Sequence, residues 1–223
     1  MHGGRPVKVV ARWAALRRPA VFVDKDGTLI EDVPYNTDPA LVRFTPHALA
    51  ALRQLAAHGF ALFIASNQPG LATGHIRHAE LQALRTHIER RLRDEAGIGL
   101  DGWFVCPHAP GITERPAGYA LRCSPLGRPG GLTPRCSCRK PAPGLLHRAA
   151  DEHGIDLTHS WMVGDILDDI EAGRRAGCST VLLDVGNETE WQLTPQREPH
   201  HRCPHLLAAA EIIVAQQREA LSR

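Results

Sequence analysis

The chain has 223 residues, with 26 Lys and Arg against 24 Asp and Glu and a formal net charge of +2. So even a balance does not by itself imply a nucleic-acid or membrane partner, and 5% aromatic residues leave little material for stacking single-stranded bases. The length suits one domain of generous size, and no apolar run approaches the roughly 18 residues of a membrane span.

Residues 1–19 carry five basic side chains and no acidic one. Arg12, Arg17 and Arg18 interrupt any apolar stretch there, so a secretory signal is not expected. The segment reads as a basic extension ahead of a single domain over 20–223, and the protein is expected in the cytoplasm as a monomer.

Ala20-Val21-Phe22-Val23 reads as a buried strand stopped by Asp24. A helix is expected over 46–58, with Pro46 in its first turn and Gly59 past its end. FALFIA at 60–65 forms a second buried strand. Leu81, Leu84, Ile88 and Leu92 recur near the 3.6-residue period in a long helix over 78–96. A third strand covers 103–106. Residues 107–141 are rich in Pro, Gly, Arg and Cys and lack periodicity, a long stretch that needs a special device to order it. Order resumes with a helix over 144–153, a strand over 161–163, a helix over 168–176, a strand over 180–184 and a closing helix over 206–221. Residues 189–204 read as polar and irregular, and Pro199–His205 (PHHRCPH) as a solvated loop. The arginines at 85, 90, 91 and 93 read as a solvated helix face, and Cys178 as core.

Strands alternating with helices imply a three-layer, Rossmann-like α/β fold with a parallel sheet. Ligands bind such sheets beyond the carboxyl ends of the strands, and three of those ends read Asp24-Lys25-Asp26, Ser66-Asn67 and Gly164-Asp165. Two carboxylates at the mouth of a buried sheet repel each other unless a cation lies between them. A hard divalent ion with oxygen ligands meets that need.

Asp24-Lys25-Asp26-Gly27-Thr28 resembles the first motif, D-x-D-G-T, of the haloacid dehalogenase (HAD) superfamily of phosphohydrolases. Ser66-Asn67, Lys140 and Gly164-Asp165 with Asp169 match its other three motifs in order. The resemblance implies a HAD-like, magnesium-dependent phosphomonoesterase. Asp24 would be the nucleophile that carries an aspartyl-phosphate, and Asp26 the general acid and base. Magnesium would be held by Asp24, the backbone carbonyl of Asp26, and Asp165. Ser66 and Asn67 would hold the phosphoryl group, Lys140 would neutralise its oxygens, and Asp169 would orient Lys140 or a magnesium-bound water.

A second constellation is Cys106-Pro107-His108 followed by Cys136-Ser137-Cys138. Three thiols and an imidazole are suitable ligands for tetrahedral zinc, although the spacing is tighter than in common zinc ribbons. Free thiols in an unordered loop are the alternative, and Cys123, inside the gap, is a competing ligand. Followed at once by Arg139-Lys140, the C-x-H…C-x-C pattern resembles the D-glycero-D-manno-heptose 1,7-bisphosphate phosphatases and the related histidinol-phosphate phosphatases. That resemblance spans roughly residues 20–185. It implies a capless domain with a structural zinc loop over 106–138, and substrate contacts from Asp32, Tyr35, Ser66, Asn67, Gln68, Arg139 and Lys140. The expected reaction is hydrolysis of the C7 phosphate of the heptose bisphosphate; histidinol phosphate or another small sugar phosphate is the rival substrate. The gap between His108 and Cys136 is longer than is usual in the family. Ile166 stands where the heptose enzymes often carry a lysine, which puts the contact to the distal phosphate in question. A zinc-stabilised nucleic-acid-binding module is the competing class, disfavoured because the strand-end acids would repel phosphates in the absence of magnesium.

Overall fold

The computed structural model describes residues 17–109 and 136–222. Most of the basic extension, the middle of the Cys-rich loop, and Cys123 lie outside the described residues.

Six parallel strands form one sheet: β1 (Ala20–Val23), β2 (Ala61–Asn67), β3 (Gly102–Cys106), β4 (Trp161–Gly164), β5 (Ser179–Leu183) and β6 (His201–Cys203), in the spatial order β3-β2-β1-β4-β5-β6. The strands are short and apolar, and their side chains alternate between the two faces, as a period of two requires. Val21, Val23, Leu62, Ile64, Val163, Val181 and Leu183 join one core. Phe22, Ala61, Phe63, Ala65, Phe104 and Met162 join the other.

The helices supply the two outer layers. The first core takes α1 (Ala48–Ala57), α3 (His78–Ala96) and α6 (Leu206–Leu221). Leu84, Ile88 and Leu92 of α3 are fully buried there, so the period-3.6 stripe points inward. Gly97 ends α3 in the left-handed conformation at φ 67°, a conformation that costs glycine little. The second core takes α4 (Gly144–His153) through Leu145, Leu146, Ala149 and Ala150. On α5 (Leu167–Arg175), Leu167 and Ile170 pack on Leu182. A short helix, α2 (Gly70–Thr73), follows β2. Cys178 is buried as expected.

The chain leaves β1 in one direction and returns to its other side at β4. The strand order therefore reverses at the centre of the sheet, and a crevice opens beyond the carboxyl ends of β1 and β4. Asp24 and Asp165 follow those two strands directly.

Four expectations need correction. The first helix starts at Ala48, because its N-cap His47 adopts φ 65°, outside helical space, so Pro46 precedes the helix rather than entering its first turn. Residues 189–204 are not wholly irregular: His201–Cys203 is the edge strand β6, paired in parallel with β5. Three polar-leaning residues are too few to show alternation. The histidines around β6 are not simply solvated. Thr180 N–H donates to His200 Nδ1 at 3.0 Å, and Ala208 N–H donates to His205 Nδ1 at 3.1 Å, capping α6. Finally, Arg91 is more than a surface charge. Its Nη1 donates to the Val42 carbonyl at 2.9 Å and its guanidinium lies 4.7 Å from the Phe44 ring centre.

Candidate active site

The β1 strand ends in a tight loop. Gly27 N–H donates to the Ile30 carbonyl at 2.8 Å, and Ile30 N–H to the Lys25 carbonyl at 2.9 Å. Gly27 has φ +80°, and a Cβ there would lie 2.2 Å from Asp165 Oδ2. The position thus demands glycine twice, by conformation and by space. The close approach sets the β1 loop directly against the end of β4.

Asp24, Asp165 and Asp169 are all buried, each with an oxygen within 4.8 Å of the others. Lys140, 1% exposed, reaches into this cluster from the turn before α4. Its Nζ lies 2.6 Å from Asp24 Oδ1 and 2.5 Å from Asp169 Oδ1. Burial of an unpaired ammonium costs several kcal/mol, which explains why Lys140 has two carboxylate partners. Although burial alone would lower its pKa, Asp169 and Asp24 raise it above the usual lysine range. Asp24 is pushed well above the usual carboxylate range, chiefly by burial, with Lys140 opposing and Asp169, Asp165 and Asp26 adding to the rise. Burial likewise raises Asp169 to about 6 against the pull of Lys140. Three close carboxylates balanced by one ammonium leave room, in charge and in donor chemistry, for a hard divalent cation.

The remaining expected residues line the same cleft of about 380 Å³, though several are already engaged with protein atoms. Lys25 Nζ donates to Asp26 Oδ1 at 2.5 Å and Gln68 Nε2 to Asp26 Oδ2 at 2.8 Å, so both Asp26 oxygens are held. Gln68 Nε2 also lies 2.9 Å from Ser66 Oγ. Asn67 grips the backbone of Lys140 in both directions: its Nδ2 donates to the Lys140 carbonyl and its Oδ1 accepts from the Lys140 N–H, each at 3.0 Å. Its amide is thus a clasp for Lys140, a link invisible in the sequence because the two are 73 residues apart. Tyr35 is half exposed at φ 53° and stacks on His75 with ring centres 4.7 Å apart. Asp32 lies on the cleft wall, its carboxyl raised by burial and by Asp26 and Asp165. Arg139 lines the cleft and anchors Nη1 on the His108 carbonyl at 3.1 Å.

Three further side chains contribute, to which the sequence assigns no role. Asn187 Nδ2 donates to Asp165 Oδ2 at 2.8 Å, while Thr28 Oγ1 donates to Asp165 Oδ1 at 2.7 Å. Thr28 sat within a motif, but Asn187 lies in an unpatterned polar loop whose only clue is its place after the carboxyl end of β5. Asp168, on the cleft wall, pairs with Arg197.

The Cys/His cluster sits beside this cleft. Cys106, His108, Cys136 and Cys138 bring one ligand atom each within 4.8 Å of the others. His108 Nδ1 is 3.5 Å from Cys106 Sγ, 2.9 Å from Cys136 Sγ and 3.5 Å from Cys138 Sγ. Cys136 Sγ lies 3.7 Å from Cys106 Sγ and 3.0 Å from Cys138 Sγ. The edges of a tetrahedron around zinc at about 2.3 Å are roughly 3.75 Å long; the four atoms already converge to that spacing or somewhat closer, with these separations running from 2.9 to 3.7 Å. Hydrogen bonding with Cys106 and then with Cys138 pulls the Cys136 thiol down to about 2, and the same pairing with Cys136 pushes Cys106 up to about 12. A thiolate within the group is a ready first ligand for a cation.

An all-parallel sheet with an acid pair after its central strand, a buried lysine and a second acidic strand end defines a HAD-like phosphatase. The HAD-hydrolase-like family model matches residues 137–209. The chain is 35% identical over 182 residues to the D-glycero-beta-D-manno-heptose-1,7-bisphosphate 7-phosphatase of Escherichia coli (strain K12), covering 81% of this chain and 84% of that protein. It is 34% identical over 165 residues to the enzyme of the same name from Yersinia pestis, covering 74% and 79%. The chain belongs to this family of heptose-bisphosphate phosphatases. Among solved structures, it is similar to the D,D-heptose 1,7-bisphosphate phosphatase of B. bronchiseptica, complexed with magnesium and phosphate, with a TM-score of 0.67 and 27% identity over 89% of this chain and 99% of that one. A putative HAD-like phosphatase from Mesorhizobium loti is also similar, with a TM-score of 0.67 and 29% identity over 95% of this chain and 91% of that one.

Proposed function

We propose that this phosphatase removes the C7 phosphate of D-glycero-D-manno-heptose 1,7-bisphosphate through an aspartyl-phosphate on Asp24, with Mg²⁺ as catalytic and Zn²⁺ as structural ion. The observation that carries the chemistry is the convergence of Asp24, Asp165, Asp169 and Lys140 in one buried cluster. The family relatives support the substrate.

Asp24, Asp165 and the backbone carbonyl of Asp26 would hold Mg²⁺, which when bound supplies charge neutralisation for the phosphoryl oxygens. Burial disfavours an ionised Asp24, and a neutral carboxyl is a poor nucleophile, so the Lys140 ammonium at 2.6 Å helps keep it anionic. Asp24 then attacks phosphorus in line with the leaving oxygen. Asp26, oriented by Lys25 and Gln68, gives the leaving alkoxide its proton and afterwards takes one from the attacking water. Ser66 and Lys140 would face the phosphoryl group, with Asn67 serving it by clasping the Lys140 backbone and Asp169 orienting the Lys140 ammonium. Asp32, Tyr35 and Gln68 line the substrate path. Lys25 and Lys140 are already paired with carboxylates; among the described residues Arg139 forms no direct ion pair, though it lies near enough to Asp168 to favour that carboxyl's ionised form, and it is the best candidate to meet a second phosphate.

The four-ligand Cys/His site is closed and offers no position for substrate, so its zinc would shape the wall that carries Arg139. Among the described residues no helix is long and apolar enough to cross a membrane. Cys106, Cys136 and Cys138 are gathered with His108 as a metal-ligating group, which suits a reducing, cytoplasmic setting.

Phosphate release should require Mg²⁺, vanish in EDTA and return on adding Mg²⁺ back, and Ca²⁺ should inhibit because its larger, looser shell fits in-line attack poorly. A release assay over sugar bisphosphates and histidinol phosphate tests the substrate. The heptose bisphosphate should be turned over with the highest kcat/KM. A preference for histidinol phosphate would move the chain to the rival specificity, and undiminished activity in EDTA would remove the magnesium site.

A further inference from the structure

The segment after β5 bears on the start of α5 at three successive points. Asn187 Nδ2 donates to Asp165 Oδ2 at 2.8 Å. Glu188 Oε2 accepts the Leu167 N–H at 2.7 Å, satisfying an amide at the head of α5. Arg197 pairs with Asp168 and, at 2.8 Å, with Glu171. Only the first of these touches a carboxylate of the buried acidic cluster. Asp165 has one oxygen held by Thr28 and the other by Asn187, so neither can rotate without breaking a charge-assisted bond. The contact is tight: a Cβ on Gly27 would lie 2.5 Å from Asn187 Nδ2.

We propose that Asn187 is a positioning residue for Asp165, presetting that carboxylate to receive the divalent cation. The inference rests on the reading of Asp165 as a magnesium ligand. An outer hydrogen-bonding partner of a ligating carboxylate fixes its orientation, and loss of such partners weakens metal affinity by about 10–100-fold. The amide is suited to this task. It donates to the carboxylate without adding charge, whereas an acid at 187 would repel Asp165 and a basic residue would compete with the cation.

The test is Mn²⁺ binding to the Mg²⁺-free full-length protein, followed by electron paramagnetic resonance of the free ion. Mn²⁺ is a spectroscopic substitute that accepts the same oxygen ligands. Asn187→Ala should weaken Mn²⁺ binding about tenfold, and the Mg²⁺ concentration for half-maximal activity should rise by a similar factor. The kcat at saturating Mg²⁺ should stay within about threefold of wild type, since Asn187 acts through Asp165 and not on the phosphoryl group. Glu188→Ala, which removes the neighbouring contact on the same loop, should change Mn²⁺ affinity less than twofold, and thermal melts should show both variants folded. Wild-type affinity in Asn187→Ala, or an equal loss in Glu188→Ala, overturns the proposal. Asp165→Asn separates it from its premise. Lost Mn²⁺ binding there, with unchanged binding in Asn187→Ala, rejects the positioning role alone, while retained binding in Asp165→Asn rejects the metal site as well.

Discussion

Asp24→Asn should cut phosphate release by at least about a thousandfold while leaving a folded protein, because loss of a covalent nucleophile costs orders of magnitude. The substitution keeps the shape of the side chain and removes its charge. Its effect on stability follows from the same cluster. Asp24 stands among Asp26, Asp165 and Asp169, all of which disfavour its ionised form, with Lys140 as its main compensation. Lys140 keeps Asp169 at 2.5 Å when Asp24 is neutral, so no buried charge is stranded. Relief of repulsion and loss of one ion pair oppose each other. The thermal midpoint of Asp24→Asn in the absence of magnesium should therefore equal or exceed that of the wild type, while activity collapses. More than about a tenth of the wild-type rate in this variant would contradict the covalent route.

Cys138→Ser should lose bound zinc and reduce activity at least about tenfold, although Cys138 touches no reacting atom. In the sequence 27 residues separate His108 from Cys136, and closing so long a segment carries an entropic cost that only a strong cross-link offsets. The two basic residues that follow Cys138 should respond differently. Lys140 is also held by Asn67 through two backbone bonds and by Asp169, so part of its placement survives. Arg139 is anchored through the carbonyl of His108, itself a member of the cluster, and should lose its place. The loss should thus appear mainly as a raised KM for substrate, with the Mg²⁺ requirement little changed. Elemental analysis should find about one zinc per wild-type chain and none in Cys138→Ser, whereas Cys123→Ser should keep its zinc. Retained zinc in Cys138→Ser with loss in Cys123→Ser would exchange the assigned ligand.

Much of the fold is legible in the sequence because the strong signals are local. Leu81, Leu84, Ile88 and Leu92 show the period of α3, and Gly97 marks its end. β6 was missed because His201, Arg202 and Cys203 carry neither alternation nor a run of apolar residues; their pairing with Val181, Leu182 and Leu183 is tertiary. The acidic ends of β1 and β4 were legible because each follows a buried apolar run. What the sequence hides is how polar groups partner across distance. Asn67 could be assigned to the strand end but not to the Lys140 backbone. Gln68 could be placed by its neighbours but not paired with Asp26. Asn187 stands in a loop without periodicity or motif, and only the three-dimensional return of that loop to Asp165 exposes it.

The most direct measurement is ³¹P nuclear magnetic resonance of D-glycero-D-manno-heptose 1,7-bisphosphate during turnover with Mg²⁺. The C7 ester signal should decline as inorganic phosphate grows, with the C1 phosphate signal retained. Loss of the C1 phosphate, or no turnover of this compound by a protein that readily hydrolyses histidinol phosphate, would contradict the assignment.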